Sequence, residues 1–158
     1  MFRAGACTFS AGERRIQRLA PALHCAGKYG ILLIRFVRAA GVGTEKEGEK
    51  MEAIVYSSNS GFTARYAKLL SEATGLPAVD VRKVRRKLYR GDDIVFMGWV
   101  MAGVIDNYMK MYSLYNVRVL CPVGLMPPGG QVLETLHNRN MIPDEIALYY
   151  LRGGFDMR

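Results

Sequence analysis

The chain has 158 residues, of which half are apolar, and a formal net charge of +8. This length suits one domain with a full hydrophobic core, and the apolar fraction excludes a chain that is disordered throughout. No apolar run approaches the roughly 18 residues of a membrane-spanning helix, because Arg35 interrupts the longest candidate, residues 31–34. Cys7, Cys25 and Cys121 show neither metal-binding spacing nor an even disulfide framework, which indicates a reducing, cytoplasmic location.

The first fifty residues differ in composition from the rest of the chain. They hold nine Lys and Arg residues and four acids, and only Glu13 among these acids precedes residue 44. Three interpretations remain open: Met51 is the authentic start and residues 1–50 are translated upstream sequence, or the Arg-rich segment is a targeting presequence, or it is a structural extension. We therefore predict one domain over residues 51–158, preceded by a doubtful extension over residues 1–50.

From Met51 onward, the pattern predicts strands that alternate with helices. The predicted strands cover residues 53–57, 78–81, 93–98, 117–123 and 146–151, and the predicted helices cover residues 63–74, 105–114 and 130–138. The continuous apolar run that starts at Ile94 is typical of a strand buried on both faces of a parallel sheet. The alternation as a whole predicts an α/β fold with a doubly wound parallel sheet.

A strongly basic run lies between the second and third predicted strands. Residues 82–90 hold six Lys and Arg residues and no acid, and residues 82–89 are predicted as a short helix or a turn. Such a run is usually a solvated face, and the alternative is a docking surface for an acidic partner. We do not expect nucleic-acid binding, because no aromatic stacking platform accompanies the run.

The most informative motif is the connection between the first strand and the first helix. It reads Ser57-Ser58-Asn59-Ser60-Gly61-Phe62-Thr63. A helix N-terminus after a tight loop attracts anions, the hydroxyls of Ser58, Ser60 and Thr63 add donors, and Gly61 has no Cβ to obstruct a phosphate. The motif lacks both the lysine of nucleotide triphosphatases and the GxGxxG of dinucleotide folds. It therefore suits a phosphate monoester such as flavin mononucleotide (FMN), and the alternative is a plain turn in which Ser caps the helix.

The segment Ser58–Thr63 resembles the T-x-T-G-x-T phosphate signature of the flavodoxin family, with Ser twice in place of Thr and Phe62 where the family often has Asn. The resemblance continues through residues 98–103, 123–128 and 149–156. It is similar to the flavodoxin-domain branch that includes menaquinone-dependent protoporphyrinogen dehydrogenases.

This resemblance implies a five-stranded parallel sheet in the order 2-1-3-4-5, with the ligand at the carboxyl ends of the first and third strands. It also implies a final helix, which the sequence lacks after its last strand. Two interpretations follow: the domain over residues 51–158 is truncated at its C-terminus, or residues 29–37 cover that sheet face as part of a structural extension.

The resemblance further implies which loops hold the isoalloxazine ring of FMN. The residues are Gly98, Trp99, Val100, Met101, Ala102 and Gly103 after the third strand, and Gly124, Leu125 and Met126 after the fourth. Trp99 either stacks on the ring or packs in the core, and Met126 either contacts the ring or fills space. No metal-ligand cluster and no Ser-His-Asp arrangement accompanies these loops, so any redox chemistry would come from the cofactor.

The expected function is therefore electron transfer by an FMN-binding, flavodoxin-like protein, with a redox protein, a quinone or another small molecule as partner. Two alternatives stay open. The first is an FMN-dependent oxidoreductase similar to protoporphyrinogen dehydrogenase, and the second is a degenerate flavodoxin fold that docks a partner and binds no flavin.

Overall fold

The computed structural model describes residues 51–127 and 129–154. The elements of this part are, in chain order, β1 (Ala53–Ser57), α1 (Phe62–Thr74), β2 (Ala78–Asp80), a 3₁₀ turn (Val84–Arg86), β3 (Asp93–Met101), β4 (Val104–Ile105), α2 (Tyr108–Tyr112), β5 (Asn116–Gly124), α3 (Gly130–Asn140), β6 (Ala147–Leu148) and β7 (Leu151–Arg152). The predictions for residues 1–50 and for a final helix lie outside the described residues.

The strands form one mostly parallel sheet in the order β2-β1-β3-β5-β6. β7 pairs with β5 further along that strand, and β4 pairs antiparallel with β3. The predicted α/β class with a parallel sheet is confirmed. The sheet has seven strands rather than five, because β3 turns back as β4 and the predicted last strand is divided into β6 and β7.

Both faces of the sheet are buried, as the apolar run of β3 predicts. Val95 and Met97 pack on the face that carries α1, whereas Ile94 and Phe96 pack on the face that carries α2 and α3. All four side chains are at most 1% exposed. This alternation of side chains along one strand gives the domain a hydrophobic core on each side of the sheet.

Glycines set both ends of α1. Gly61 precedes the helix with a φ of +86°, and Gly75 follows it with a φ of +81°. The N–H of Gly75 donates to the carbonyl of Ser71 at 2.8 Å, which satisfies one of the last free carbonyls of the helix. The predicted end of the helix at residue 74 is confirmed.

The loop predicted over residues 98–103 is wrong, because β3 continues to Met101 and returns as β4. Val100 lies opposite Ile105 in the resulting antiparallel pair. Ala102 and Gly103 form the turn with φ angles of +50° and +80°. Two consecutive residues with positive φ match the twist of a two-residue hairpin, and this explains the glycine without any ligand.

Two other predicted boundaries change for related reasons. The helix predicted over residues 105–114 is only Tyr108–Tyr112, since Ile105 belongs to the hairpin. Residues 82–89 contain only the 3₁₀ turn, which agrees with the predicted alternative of a turn. Among the described helices, none has the length and apolar character that crossing a membrane requires.

Candidate functional site

The connection from β1 to α1 has the backbone of an anion-binding turn. β1 ends at Ser57, α1 begins at Phe62, and Gly61 takes the N-cap position without any side chain capping the helix. The first bond of this turn runs from the N–H of Arg65 to the carbonyl of Gly61 at 3.0 Å. The three N–H groups before Arg65 therefore have no acceptor within the helix and are available to an anion.

Gly61 is required by its backbone angle rather than by crowding. A Cβ at this position would meet no atom within 4 Å, so the protein itself leaves the space beside the turn open. The positive φ is a conformation that residues with a side chain adopt only at a cost. The sequence argument for a close approach of phosphate is therefore compatible with the structure, but the turn alone is enough to explain the glycine.

The three hydroxyls of the predicted phosphate turn have different environments. Ser58 Oγ is buried and has no hydrogen-bond partner. Ser60 Oγ is exposed and donates to the carbonyl of Gly154 at 3.3 Å, and Thr63 is only 2% exposed. Buried hydroxyls are normally hydrogen-bonded, so the hydroxyl of Ser58 can bond to a polar group from outside the protein, either water or a ligand.

Phe62 has a packing role that the sequence did not predict. A Cβ at Gly154 would lie 2.8 Å from the ring of Phe62, so the segment after β7 passes directly over this ring. The guanidinium of Arg65 lies 5.4 Å from the ring centroid on the same helix, within the range of a cation–π contact. Phe62 therefore holds the chain after β7 against the N-terminus of α1.

The glycines predicted to contact the ring are explained by packing within the protein. A Cβ at Gly98 would lie 2.5 Å from Ile105 Cγ2, and a Cβ at Gly124 would lie 2.4 Å from Tyr150 Oη. A Cβ at Gly103 would meet Arg139 Cδ at 3.0 Å. Each of these glycines makes room for a side chain of the same domain, which is a sufficient reason for the residue type.

Two cavities lie at the carboxyl edge of the sheet, and each is lined by some of the predicted site residues, whereas Ser60, Gly61, Phe62, Thr63, Gly98 and Met101 line neither. One has a volume of about 310 Å³ and is lined by Ser57, Ser58, Asn59, Val81, Arg82, Trp99, Asp106, Asn107 and Lys110. The other has a volume of about 500 Å³ and is lined by Val100, Ala102, Gly103, Gly124, Leu125, Met126, Gln131, Val132, Thr135, Leu136, Arg139 and Tyr150. We call them the polar cavity and the apolar cavity.

Trp99 thus lies in the same cavity as Ser57, Ser58 and Asn59 of the predicted phosphate turn, which we call the phosphate-type turn (residues 57–63). Most of the other residues predicted to hold the flavin ring line the apolar cavity instead. Successive residues of a strand point to opposite faces, so Trp99 lines the polar cavity and Val100 the apolar one. The side chains of Leu125 and Met126 stay 48% and 63% exposed beside the apolar cavity. Met101 is 63% exposed at the hairpin tip and lines neither cavity.

No known protein family, curated protein or solved structure matches the chain. The interpretation of the site therefore depends on its own geometry.

Four polar residues of the polar cavity were not predicted. They are Arg82, Asp106, Asn107 and Lys110. Asp106 and Asn107 fell within the predicted helix, although Asp-Asn before a helical pattern is itself a helix-start signal. That signal would have placed this pair just before α2, where Asn107 is the N-cap residue.

Asn140 is a second unpredicted residue, and it fixes the hairpin to α3. The side chain is 3% exposed, and its Oδ1 accepts a hydrogen bond from the N–H of Ile105 at 2.9 Å. Its Nδ2 donates to the carbonyls of Gly103 and Leu136 at 2.9 and 2.8 Å. Arg139 adds a hydrogen bond from Nη1 to the carbonyl of Ala102. The end of α3 therefore determines where the hairpin lies.

Two buried side chains titrate far from their usual range, and neither lines the polar or the apolar cavity. Burial, with smaller contributions from Tyr112 and Glu145, raises the pKa of Tyr108 to about 12, and its hydroxyl has no partner. Burial also raises the pKa of the Cys121 thiol, so this cysteine stays protonated and unreactive. The described residues contain no group of three or more His, Cys, Asp or Glu side chains that could hold a metal ion.

The basic run reaches the polar cavity only through Arg82, whereas Arg85 and Arg90 line a separate hollow with Leu114 and Tyr115. All six of its Lys and Arg residues are exposed, and no carboxylate of the described residues lies within ion-pair distance of them. Arg82, the first of them, lines the polar cavity together with Lys110. Arg82 and Lys110 therefore add positive potential to the cavity that contains Ser58.

Proposed function

We propose that this domain binds FMN without a covalent bond and transfers electrons to or from a redox protein or a small molecule such as a quinone. The observation that carries the proposal is the free, buried hydroxyl of Ser58 at the uncapped N-terminus of α1. A phosphate placed there would accept hydrogen bonds from Ser58 Oγ and from the first N–H groups of the helix. When bound, FMN supplies a ring that accepts and releases electrons.

The topology supports the same proposal. If β6 and β7 are taken as one interrupted strand and β4 as the return arm of the hairpin, the parallel strands follow an order equivalent to 2-1-3-4-5. In that order β1 and β3 are neighbours whose connections leave on opposite faces of the sheet. A crevice at their carboxyl ends is the usual place for a ligand in such a fold, and the polar cavity lies there.

The ring end of the proposed ligand would lie against Trp99. Its side chain is partly exposed in the cavity that also contains Ser58 and Asn59. A partly exposed indole offers a flat apolar surface for a flavin ring, and an offset stack of two aromatic systems is favourable. Trp99 is the only tryptophan of the chain, so its fluorescence reports directly on a ligand stacked there.

One observation favours a second candidate, a flavodoxin-like domain that docks a partner and binds no flavin. Gly98, Gly103 and Gly124 each accommodate a side chain of the domain, so none of them is needed to bring backbone close to a cofactor. The loop residues expected to enclose the ring also open into the separate apolar cavity. In this alternative the turn before α1 is only a helix start, and Ser58 binds solvent.

A titration of the full chain with FMN, followed by quenching of flavin and Trp99 fluorescence, distinguishes the two candidates. Riboflavin, which lacks the phosphate, is the control ligand. We expect saturable binding of FMN and much weaker binding of riboflavin. Absence of FMN binding by a chain that shows cooperative thermal unfolding would contradict the proposal and favour the flavin-free candidate.

The variant Ser58→Ala tests the observation itself. A hydrogen bond to a charged group contributes about 1.5–3 kcal/mol, so we expect FMN affinity to fall by roughly tenfold to hundredfold while riboflavin affinity changes little. Ser113→Ala is the matched control, since Ser113 is exposed and its hydroxyl donates only to the carbonyl of Lys110. An equal effect of the two variants would show that Ser58 has no contact with the phosphate.

A further inference from the structure

A carboxylate with one unused oxygen lines the polar cavity beside the phosphate-type turn. Asp106 Oδ2 accepts hydrogen bonds from Ser57 Oγ and from Asn107 Nδ2, the second at 2.6 Å. Asn107 Nδ2 also lies 3.3 Å from Ser57 Oγ, so the three side chains form a closed cluster. Among the described residues, no donor bonds to Asp106 Oδ1. The cluster therefore presents one acceptor oxygen that the protein does not use.

The backbone holds this cluster in a fixed place. Asp106 follows β4 directly, and its N–H donates to the carbonyl of Trp99 at 3.0 Å. Asn107 has a φ of +59°, a left-handed conformation that Asn tolerates better than most residues. Because Asn140 ties the preceding residue, Ile105, to α3, the carboxylate is oriented before any ligand arrives.

The charges of the cavity indicate which part of a ligand this carboxylate meets. Arg82 and Lys110 offset the charge of Asp106, yet a phosphate placed against Asp106 would still be repelled. The donors for a phosphate are at Ser58 and the N-terminus of α1, which follow Ser57 in the chain. A carboxylate only accepts hydrogen bonds, so the group that meets Asp106 carries hydroxyl or N–H donors, and a neutral group suits a cavity that already contains Arg82 and Lys110.

Two other uses of the carboxylate fit the structure less well. A metal ion is disfavoured because the described residues offer no group of three or more acidic, Cys or His ligands. A nucleophile-and-base pair is disfavoured because Ser57, whose hydroxyl bonds to Asp106, is only 5% exposed. A polyol chain or sugar attached to the phosphate remains, since its hydroxyls lie a few bonds away from the phosphorus.

We propose that Asp106, oriented by Ser57 and Asn107, binds the hydroxyls of a phosphorylated polyol or sugar whose phosphate lies at Ser58. This inference rests on the proposed function, in which the polyol is the ribityl chain of FMN and Trp99 contacts the ring. It goes beyond that function because it assigns the specificity for the hydroxylated chain to Asp106. The same pair of contacts would bind ribitol 5-phosphate, which has the polyol and the phosphate but no ring.

Three probes and one conservative variant test the assignment. The probes are FMN, an FMN analogue whose chain keeps the phosphate but carries hydrogen in place of its hydroxyls, and ribitol 5-phosphate. Affinities are measured by calorimetry for wild-type chain, Asp106→Asn and the control Asp144→Asn, with cooperative thermal unfolding required of each. Asp144 is a fair control because its side chain is 98% exposed, lines neither cavity and, among the described residues, makes an ion-pair contact only with His137 Nε2, at 3.2 Å.

The two explanations of Asp106 predict effects of opposite sign. If the carboxylate binds hydroxyls, Asp106→Asn lowers the affinity for FMN and for ribitol 5-phosphate by about fivefold to tenfold, because a charge-assisted hydrogen bond becomes a neutral one. The hydroxyl-free analogue then binds the variant as well as, or better than, the wild-type chain. If Asp106 only repels phosphate, the variant binds all three probes more tightly, and that result would overturn the proposal.

The probes also separate this inference from the proposed function. If the chain binds ribitol 5-phosphate but not FMN, and Asp106→Asn lowers the affinity for ribitol 5-phosphate, the polyol site is supported and the proposed binding of FMN is contradicted. If the chain binds FMN and the hydroxyl-free analogue equally well, the proposed binding of FMN is supported and the role of Asp106 is contradicted. If no probe binds the wild-type chain, both are contradicted.

Discussion

Substitution of Gly124 by Ala gives the sharpest test of how the carboxyl end of β5 is packed. A Cβ at this buried position would lie 2.4 Å from Tyr150 Oη and 3.1 Å from its ring. Tyr150 is 5% exposed, and its hydroxyl donates to the carbonyl of Met126 at 3.0 Å, so it cannot move without losing this bond. The lost hydrogen bond costs about 1 kcal/mol and the overpacking about 1–3 kcal/mol. We therefore expect the free energy of unfolding to fall by about 2–4 kcal/mol.

The assay is equilibrium unfolding in urea at 25 °C, and the control is Gly130→Ala. Gly130 opens α3, and a Cβ there meets no atom within 4 Å, so we expect no loss and a gain of up to about 1 kcal/mol from helix propensity. Adding Tyr150→Phe to Gly124→Ala removes the closest atom and should restore part of the stability. A Gly124→Ala variant within about 0.5 kcal/mol of wild type would refute the packing argument.

Two further substitutions test buried polar groups. Asn140→Asp keeps the hydrogen bond from the Ile105 N–H, but its second carboxylate oxygen faces the carbonyl of Gly103. Burial raises the pKa of this carboxyl group, so the folded state keeps the proton to a higher pH than the unfolded state does. The free energy of unfolding should therefore fall as pH rises from about 4, with a loss of about 2–4 kcal/mol at pH 7. Urea unfolding at pH 4.5 and 7.5 measures the loss of stability of the variant relative to wild type, and equal losses at the two pH values would contradict this prediction. Tyr108 keeps its proton to about pH 12 in the folded state but only to about pH 10 when unfolded, so wild-type stability should fall between these values by up to about 1.4 kcal/mol per pH unit. Tyr108→Phe should remove the part of this alkaline loss that Tyr108 contributes and leave the part due to the buried Cys121 thiol, whereas Tyr89→Phe, at an 84% exposed position, should retain both parts.

Local sequence signals were enough for the first strand, the first helix and the turn between them. A β-branched strand, a run of small polar residues and a glycine determine β1 and the start of α1, because each of these residues acts on its own backbone or the next turn. Gly75 ends α1 for the same reason. The apolar run of β3 also predicted a strand buried on both faces, since a central parallel strand has no polar face.

Tertiary contacts decided the hairpin, and for that reason the sequence did not predict it. Trp99 to Met101 has the composition of a strand, but glycines on either side suggested a loop. Antiparallel pairing is favoured because Asn140, 35 residues further along the chain, satisfies the Ile105 N–H and the Gly103 carbonyl. No local pattern reports a partner at that distance.

The hairpin also changes what a ligand can contact at this edge of the sheet. Because the hairpin continues β3 beyond Gly98, Trp99 points into the polar cavity and Val100 into the apolar cavity. A single flavin ring therefore cannot stack on Trp99 and also fill the space beside Gly124 without crossing the strand. The Ser58 and Gly124 variants therefore report on different parts of the predicted site. Loss of FMN affinity in Ser58→Ala, with normal affinity in a folded Gly124→Ala chain, would locate the flavin on the Trp99 side. Loss in both would mean that the ring reaches the apolar cavity, and the strand end would then have to open to admit it.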